Sequence, residues 1–198
     1  YTVGMVCGSG MKSVIEAARS IISGDAEVVL AGGTENMSSA PYLLDSARYG
    51  ARMGNVTMKD SMIHDALWDV YNDYHMGMTA ENVATRYKIT REMQDEWGFH
   101  SQAKAAQAQK AGKFKEIVPT QAVRFVEKDG ITVKETFIQD FDDGVRPTTM
   151  EGLAKLRPAF AAMGSVTAGN SSQTTDGAAC SLIMSGEAVK KFGVKPLA

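Results

Sequence analysis

The feature that most constrains this chain is a glycine-rich corner near its start, Cys7-Gly8-Ser9-Gly10. It lies between a β-prone stretch and a helical pattern. Tyr1 to Val6, with Val3 and Val6 as its aliphatic members, reads as a strand. From Met11 to Ser23 the residues Val14, Ile15, Ala18, Ile21 and Ile22 recur at i, i+1, i+4, i+7 and i+8. That spacing is one face of an amphipathic helix, and Gly24 is its natural stop. Glu27-Val28-Val29-Leu30-Ala31 is a short apolar run before Gly32-Gly33, as in a buried parallel strand. The order strand, turn, helix, strand predicts a βαβ unit and an α/β fold class.

Residues 38–78 have no clean period. Ser38-Ser39-Ala40-Pro41 breaks any helix, and methionines recur at 53, 58, 62, 76 and 78. Long irregular excursions are usually functional. Thr79 is expected to cap a helix running to Tyr87, and Thr90 a longer one ending near Gly112, with Met93, Trp97, His100 and Ala103 on one stripe. Val118–Val126 and Ile131–Ile138 flank Glu127-Lys128-Asp129-Gly130, a hairpin turn signal. Thr148 and Glu151 have capping-box spacing for a short helix through Leu156, stopped by Arg157-Pro158. Ala178–Ser185 reads as a core strand, and Ser185 as the cap of a last helix ending at Gly193.

Composition narrows the function classes. The 198 residues are 44% hydrophobic and 22% charged, ordinary for a globular domain. With 21 basic and 23 acidic side chains the net charge is -2, which gives no electrostatic case for nucleic acid or an anionic membrane. No apolar run is long enough to span a bilayer, and no leader pattern is present. Two cysteines, at 7 and 180, make no disulfide framework, so a reduced, cytoplasmic setting is expected. The sequence reads as starting inside a strand and ending in a linker, as part of a longer protein would. The scattered His and Cys give no metal spacing, and neither GxGxxG nor a P-loop occurs.

Three segments carry chemistry. Cys7 at a strand–helix corner is projected outward as in a nucleophile elbow. A helix N-terminus favours anions, and Gly8 and Gly10 let backbone N–H groups approach an oxyanion. A buried structural Cys is the alternative the residues alone leave open. His75, just before a capped helix, is suited to donate to a ligand carbonyl or to move a proton, or to fill a structural hydrogen bond. Val166-Thr167-Ala168-Gly169-Asn170-Ser171-Ser172 suits close backbone approach to an extended ligand, or an ordinary turn. Arg48, Arg52, Arg146, Lys155 and Arg157 are suited to phosphates or to a solvated face.

Taken together, these blocks resemble the thiolase family, and within it the acetyl-CoA acetyltransferases. The matching blocks are Val6–Met11, Gly24–Ser38, His75–Asn82, Leu153–Phe160 and Val166–Ser172, in that order across nearly the whole chain. The resemblance implies a layered α-β-α-β-α fold. Residues 1–37 would be its core βαβ, 38–165 an inserted α+β loop domain and 166–198 the return to the core. The C-terminal thiolase domain has no counterpart here.

By the same resemblance, Cys7 is the nucleophile that carries the acyl group as a thioester. His75 and Met76 line the pantetheine tunnel, and Ala168 and Ser172 contact the pantetheine. Leu156, Ala159, Phe160 and Arg146 hold the nucleotide end of coenzyme A. Leu67 and Met78 are pocket-wall residues, and Cys180, in the expected core strand, is structural. The family commonly has Asn three residues before the nucleophile, where this chain has Gly4. The general-base His and the second catalytic Cys belong to the other half of the family pattern. The implied activity is condensation of two acetyl-CoA to acetoacetyl-CoA, or thiolysis of a 3-ketoacyl-CoA, a step in fatty acid metabolism. The implied assembly is a dimer or tetramer, with coenzyme A as substrate and no tightly bound cofactor. A decarboxylating ketoacyl-synthase-type enzyme and a non-catalytic CoA-binding module are the alternatives.

Overall fold

A computed structural model describes residues 1–198. In chain order it contains α1 (Ser9–Ile22), β1 (Val28–Asn36), the two-residue strands β2 (Tyr42–Leu43), β3 (Lys59–Asp60), β4 (Trp68–Asp69) and β5 (Tyr74–His75), then α2 (Met76–Tyr87) and α3 (Arg91–Lys110). There follow β6 (Thr120–Lys128), β7 (Ile131–Gln139), α4 (Met150–Ala154), β8 (Asp176–Met184) and α5 (Gly186–Phe192). The chain divides into two compact units, Tyr1–Asp73 with Thr174–Ala198, and Tyr74–Gln173. Residues 38–73 of the expected excursion thus belong to the first unit. No helix is long and apolar enough to cross a membrane.

The first unit is built on an antiparallel pair, β1 with β8, running from Val28 opposite Met184 to Asn36 opposite Asp176. This corrects the βαβ reading. Tyr1–Met5 form no strand. A strand needs a ladder partner, and the Met5 N–H instead donates to the Ser9 hydroxyl. The partner of β1 arrives from the far end of the chain in the opposite direction. Nor are these strands a buried core: Leu30 is 69% exposed, and Cys180, expected in a core strand, is exposed beside Gly32. α1 seats on β1 by its small-residue side, where Ala17 is buried, while Val14, Ile15 and Ile22 of the expected apolar face stay exposed. The Asp176 carboxylate accepts from the Ser38 N–H at 2.9 Å, tying the start of β8 to the turn after β1. That bond holds its pKa below the usual carboxylate value. Ser185 caps α5, accepting from the Ala188 N–H, as its sequence position predicts.

In the second unit the β6–β7 hairpin forms as expected, closed by Asp129-Gly130. Both residues have positive φ (53° and 75°), the two-residue turn that matches strand twist and calls for Gly. Thr90 caps α3, its hydroxyl accepting from the Met93 N–H. The packed face of α3 differs from the expected stripe. Met93 and Trp97 are exposed, whereas Asp95 is buried. Polar bonds hold that face: Gln94 Nε2 donates to Ser165 Oγ, and Gln102 Oε1 accepts from the Arg146 N–H.

Two caps also differ from expectation. α2 begins at Met76 with His75 as its cap, four residues before the expected cap Thr79, whose hydroxyl ends up buried without a partner. α4 is capped by Thr149, accepting from the Gly152 N–H, so the Thr148–Glu151 box does not form and the helix stops at Ala154 rather than Leu156.

Candidate active site

Cys7 sits in a 3-10 turn, Val6–Gly8, that feeds directly into α1. The turn is closed by the Gly8 N–H donating to the Met5 carbonyl at 2.9 Å. Ser9 pins it from the helix side. Its hydroxyl accepts from the Met5 N–H at 2.9 Å and donates to the Val6 carbonyl at 2.8 Å. Val6 pays with a φ of 49°, an outlier for a β-branched residue. The turn is strained at the residue before the cysteine, but no strand leads into it, unlike the expected strand–helix corner. Cys7 is exposed in this chain. It lines an open cavity of about 900 Å³ in the first unit, together with Thr34 and Asn36 from the end of β1, Met62, Leu67 and Ala178. Met62 and Leu67 bound a π-helical turn, a rare conformation that clusters at functional sites. Leu67 thus shares one cavity with Cys7. Glu35 and Asp65 place carboxylates on the same lining. Gly4 leaves open space where a side chain would point.

The second unit carries the remaining candidates. His75 Nδ1 accepts from the Gly77 N–H at 2.9 Å. A neutral imidazole accepting at Nδ1 carries its proton on Nε2, which is then a donor. The ring stacks on Phe160 at 4.9 Å between centroids. Gly77 makes that stack possible, because a β-carbon there would run into the Phe160 ring. Met76 lines a separate apolar groove on α2, and Met78 is half-buried on the same helix. Ala168 and Ser172 line a cavity of about 380 Å³ with Arg146, Trp97 and Gln102. The Leu156 carbonyl accepts from Arg91, and the Ala159 N–H donates to the Val166 carbonyl at 2.9 Å.

Glu81 of α2 fixes the loop that bears Ala168. Its carboxylate accepts from the N–H groups of Ser165 (2.9 Å) and Val166 (2.8 Å) and from the Ser165 hydroxyl. Burial opposes its charge, but those donors outweigh burial and hold its pKa below the usual carboxylate value. Sequence reasoning passed over the polar face of α3, where Arg91 and Asp95 stand at ion-pair spacing, a signal present but common on helix surfaces.

Residues 1–187 match the thiolase N-terminal domain. The chain belongs to the thiolase family. It is 50% identical over 200 residues to a probable acetyl-CoA acyltransferase of Staphylococcus epidermidis, covering 100% of this chain and 49% of that protein. It is also 50% identical over 198 residues to an acetyl-CoA acetyltransferase of Cupriavidus necator, again 100% of this chain and 49% of the relative. The crystal structure of human mitochondrial 3-ketoacyl-CoA thiolase superposes with a TM-score of 0.85 at 40% identity, covering 97% of this chain and 47% of that one. The fold is therefore the α/β fold of thiolases. This thiolase chain spans about half the length of the curated relatives it matches.

Proposed function

We propose that the chain supplies the acyl-accepting part of an acetyl-CoA C-acetyltransferase, with Cys7 as nucleophile. The observation that carries this reading is the exposed Cys7 on a strained, Ser9-pinned turn at the mouth of α1, lining the cavity that also holds Leu67. Cys7 Sγ attacks the thioester carbonyl of acetyl-CoA, a new C–S bond forms, and the CoA thiolate leaves. The N–H groups at the start of α1 favour the oxyanion formed on the way. A second acetyl-CoA is then deprotonated at its methyl carbon, and the resulting enolate attacks the acetyl carbonyl. Acetoacetyl-CoA forms and Cys7 is released; the reverse is thiolysis. The base for that second half is expected from outside these 198 residues, so this chain alone is expected to be acylated once but not to turn over.

In the second unit, His75, its ring held by the Phe160 stack and the Gly77 N–H, would donate from Nε2 to a carbonyl of the pantetheine arm. Ala168 and Ser172 lie along the arm. Met76 and Met78 are taken as its apolar neighbours, and Leu156, Ala159, Phe160 and Arg146 as contacts of the nucleotide end.

Iodoacetamide labelling of the parent polypeptide tests this reading, because Cys180 is exposed and serves as an internal control. Acetyl-CoA is expected to protect Cys7 and to leave Cys180 labelled. Equal labelling of both, with and without acetyl-CoA, removes the nucleophile reading.

A further inference from the structure

The segment that bears Leu156, Ala159, Phe160, Ala168 and Ser172 is mostly irregular between α4 and β8. Something other than helix or sheet ladders must hold it. The structure supplies two buried carboxylates: Glu81, which holds Ser165 and Val166, and Asp95, which reaches the stretches on either side of them. Asp95 is 3% exposed and sits on the packed face of α3. One of its oxygens accepts from Arg91 Nε at 2.7 Å, the other from Asn170 Nδ2 at 2.9 Å.

Each partner continues into the segment. Arg91 donates a second nitrogen to the Leu153 carbonyl at 2.7 Å and to the Leu156 carbonyl at 3.0 Å, satisfying groups left open where α4 ends. Asn170 donates to the Ser165 carbonyl at 3.1 Å, and its own oxygen accepts from the Thr167 N–H at 2.8 Å. Thr167, the residue before Ala168, is fully buried (0% exposed). Asp95 thus links both stretches, Leu156 through Arg91 and Ala168 through Asn170, while Glu81 holds Ser165 and Val166 between them.

We infer that Asp95 is the positioning residue of the coenzyme A contacts, fixing the Leu156 and Ala168 stretches in one geometry through Arg91 and Asn170. This rests on the reading of the segment as the CoA site. A carboxylate is the right group, because it accepts from two donors at once and the charge strengthens both bonds. An Asn at 95 has one oxygen and turns an N–H₂ toward one of the two donors. The segment then loses one anchor while Cys7 and its turn, in the other unit, keep theirs.

The consequence is a split in kinetics. Substrate binding weakens, and chemistry on bound substrate changes little. In the parent polypeptide, Asp95→Asn is expected to raise the KM for acetyl-CoA by about tenfold or more, on the order of what a misplaced positioning contact costs. The kcat and the alkylation rate of Cys7 by iodoacetamide are expected to stay near wild type. Asn170→Asp sets two carboxylates face to face and should raise KM as well. The exchange Asp95→Asn with Asn170→Asp restores a donor–acceptor pair and should recover part of the affinity. Where Asp95→Asn does not fold, Asn170→Ser, which removes the link without leaving a buried charge unpaired by Arg91, is read the same way. An unchanged KM in a folded variant overturns the inference, as does a parallel fall of kcat with KM unmoved. A wild type that neither binds acetyl-CoA nor protects Cys7 instead overturns the functional reading beneath it.

Discussion

Ser9→Ala removes the hydroxyl that accepts from the Met5 N–H at 2.9 Å and donates to the Val6 carbonyl at 2.8 Å. Each such bond contributes about 0.5–1.5 kcal/mol net. Both are exposed, so water takes over the freed groups and the lower part of that range applies. Together they contribute on the order of 1 kcal/mol. Against them stands Val6 at φ 49°, a conformation that costs about 1–3 kcal/mol. With the hydroxyl gone, the backbone relaxes and the population holding Cys7 in its attacking position falls about fivefold.

Quenched-flow mass spectrometry of Cys7 acetylation by acetyl-CoA reads this directly, with thermal melting as the control. Acetylation is expected to slow about fivefold, while the melting temperature barely moves, since the turn is exposed and buries nothing. Val6→Gly, which accepts positive φ without penalty, is expected to restore rate in the Ser9→Ala background. An undiminished acetylation rate in folded Ser9→Ala, or no recovery with Val6→Gly, refutes the reasoning.

Gly77→Ala drives a methyl group into the Phe160 ring and so separates it from His75; the expected result is a higher KM for acetyl-CoA with Cys7 labelling unaltered, checked by steady-state kinetics. Glu81→Gln is expected to destabilise at neutral pH by about 1.5–3 kcal/mol, the usual worth of hydrogen bonds to a charged group. The folded pKa of Glu81 is lowered, so its contribution is present above the unfolded value of about 4.3 and fades as pH falls through the folded value. The gap between the melting curves of wild type and Glu81→Gln should therefore be full at pH 7 and shrink as pH falls below the ordinary carboxylate range; a constant gap contradicts this. Thr90→Ala removes the cap bond to the Met93 N–H and should cost about 1 kcal/mol by chemical denaturation.

What the sequence made legible were elements whose cause is local. Asp129-Gly130 dictates its own turn, and Thr90 and Ser185 cap the helices that follow them. The Cys7 corner was legible for the same reason, since small residues between a strand-like and a helix-like stretch leave few geometries. What failed depended on distant partners. Tyr1–Met5 have the composition of a strand but find no ladder, and β1 pairs antiparallel with a strand far along the chain, from Val28 opposite Met184 to Asn36 opposite Asp176. The α2 cap was missed because an imidazole is not among the usual capping side chains, though its Nδ1 serves as well as a hydroxyl. The α3 face was misread because an apolar stripe is a weaker guide where the buried side is held by Arg91, Gln94 and Asp95. The candidate site followed family resemblance at Cys7, His75 and Phe160, whereas Asp95 required seeing which carbonyls Arg91 reaches.

The claim on which everything turns is that Cys7 accepts the acyl group. The parent polypeptide, mixed briefly with acetyl-CoA, acid-quenched and digested, should yield a peptide bearing Cys7 that is heavier by about 42 Da, the mass of an acetyl thioester adduct. Cys180 should stay unmodified, and Cys7→Ala should abolish the adduct. An adduct on any other residue, or its persistence in Cys7→Ala, contradicts the account.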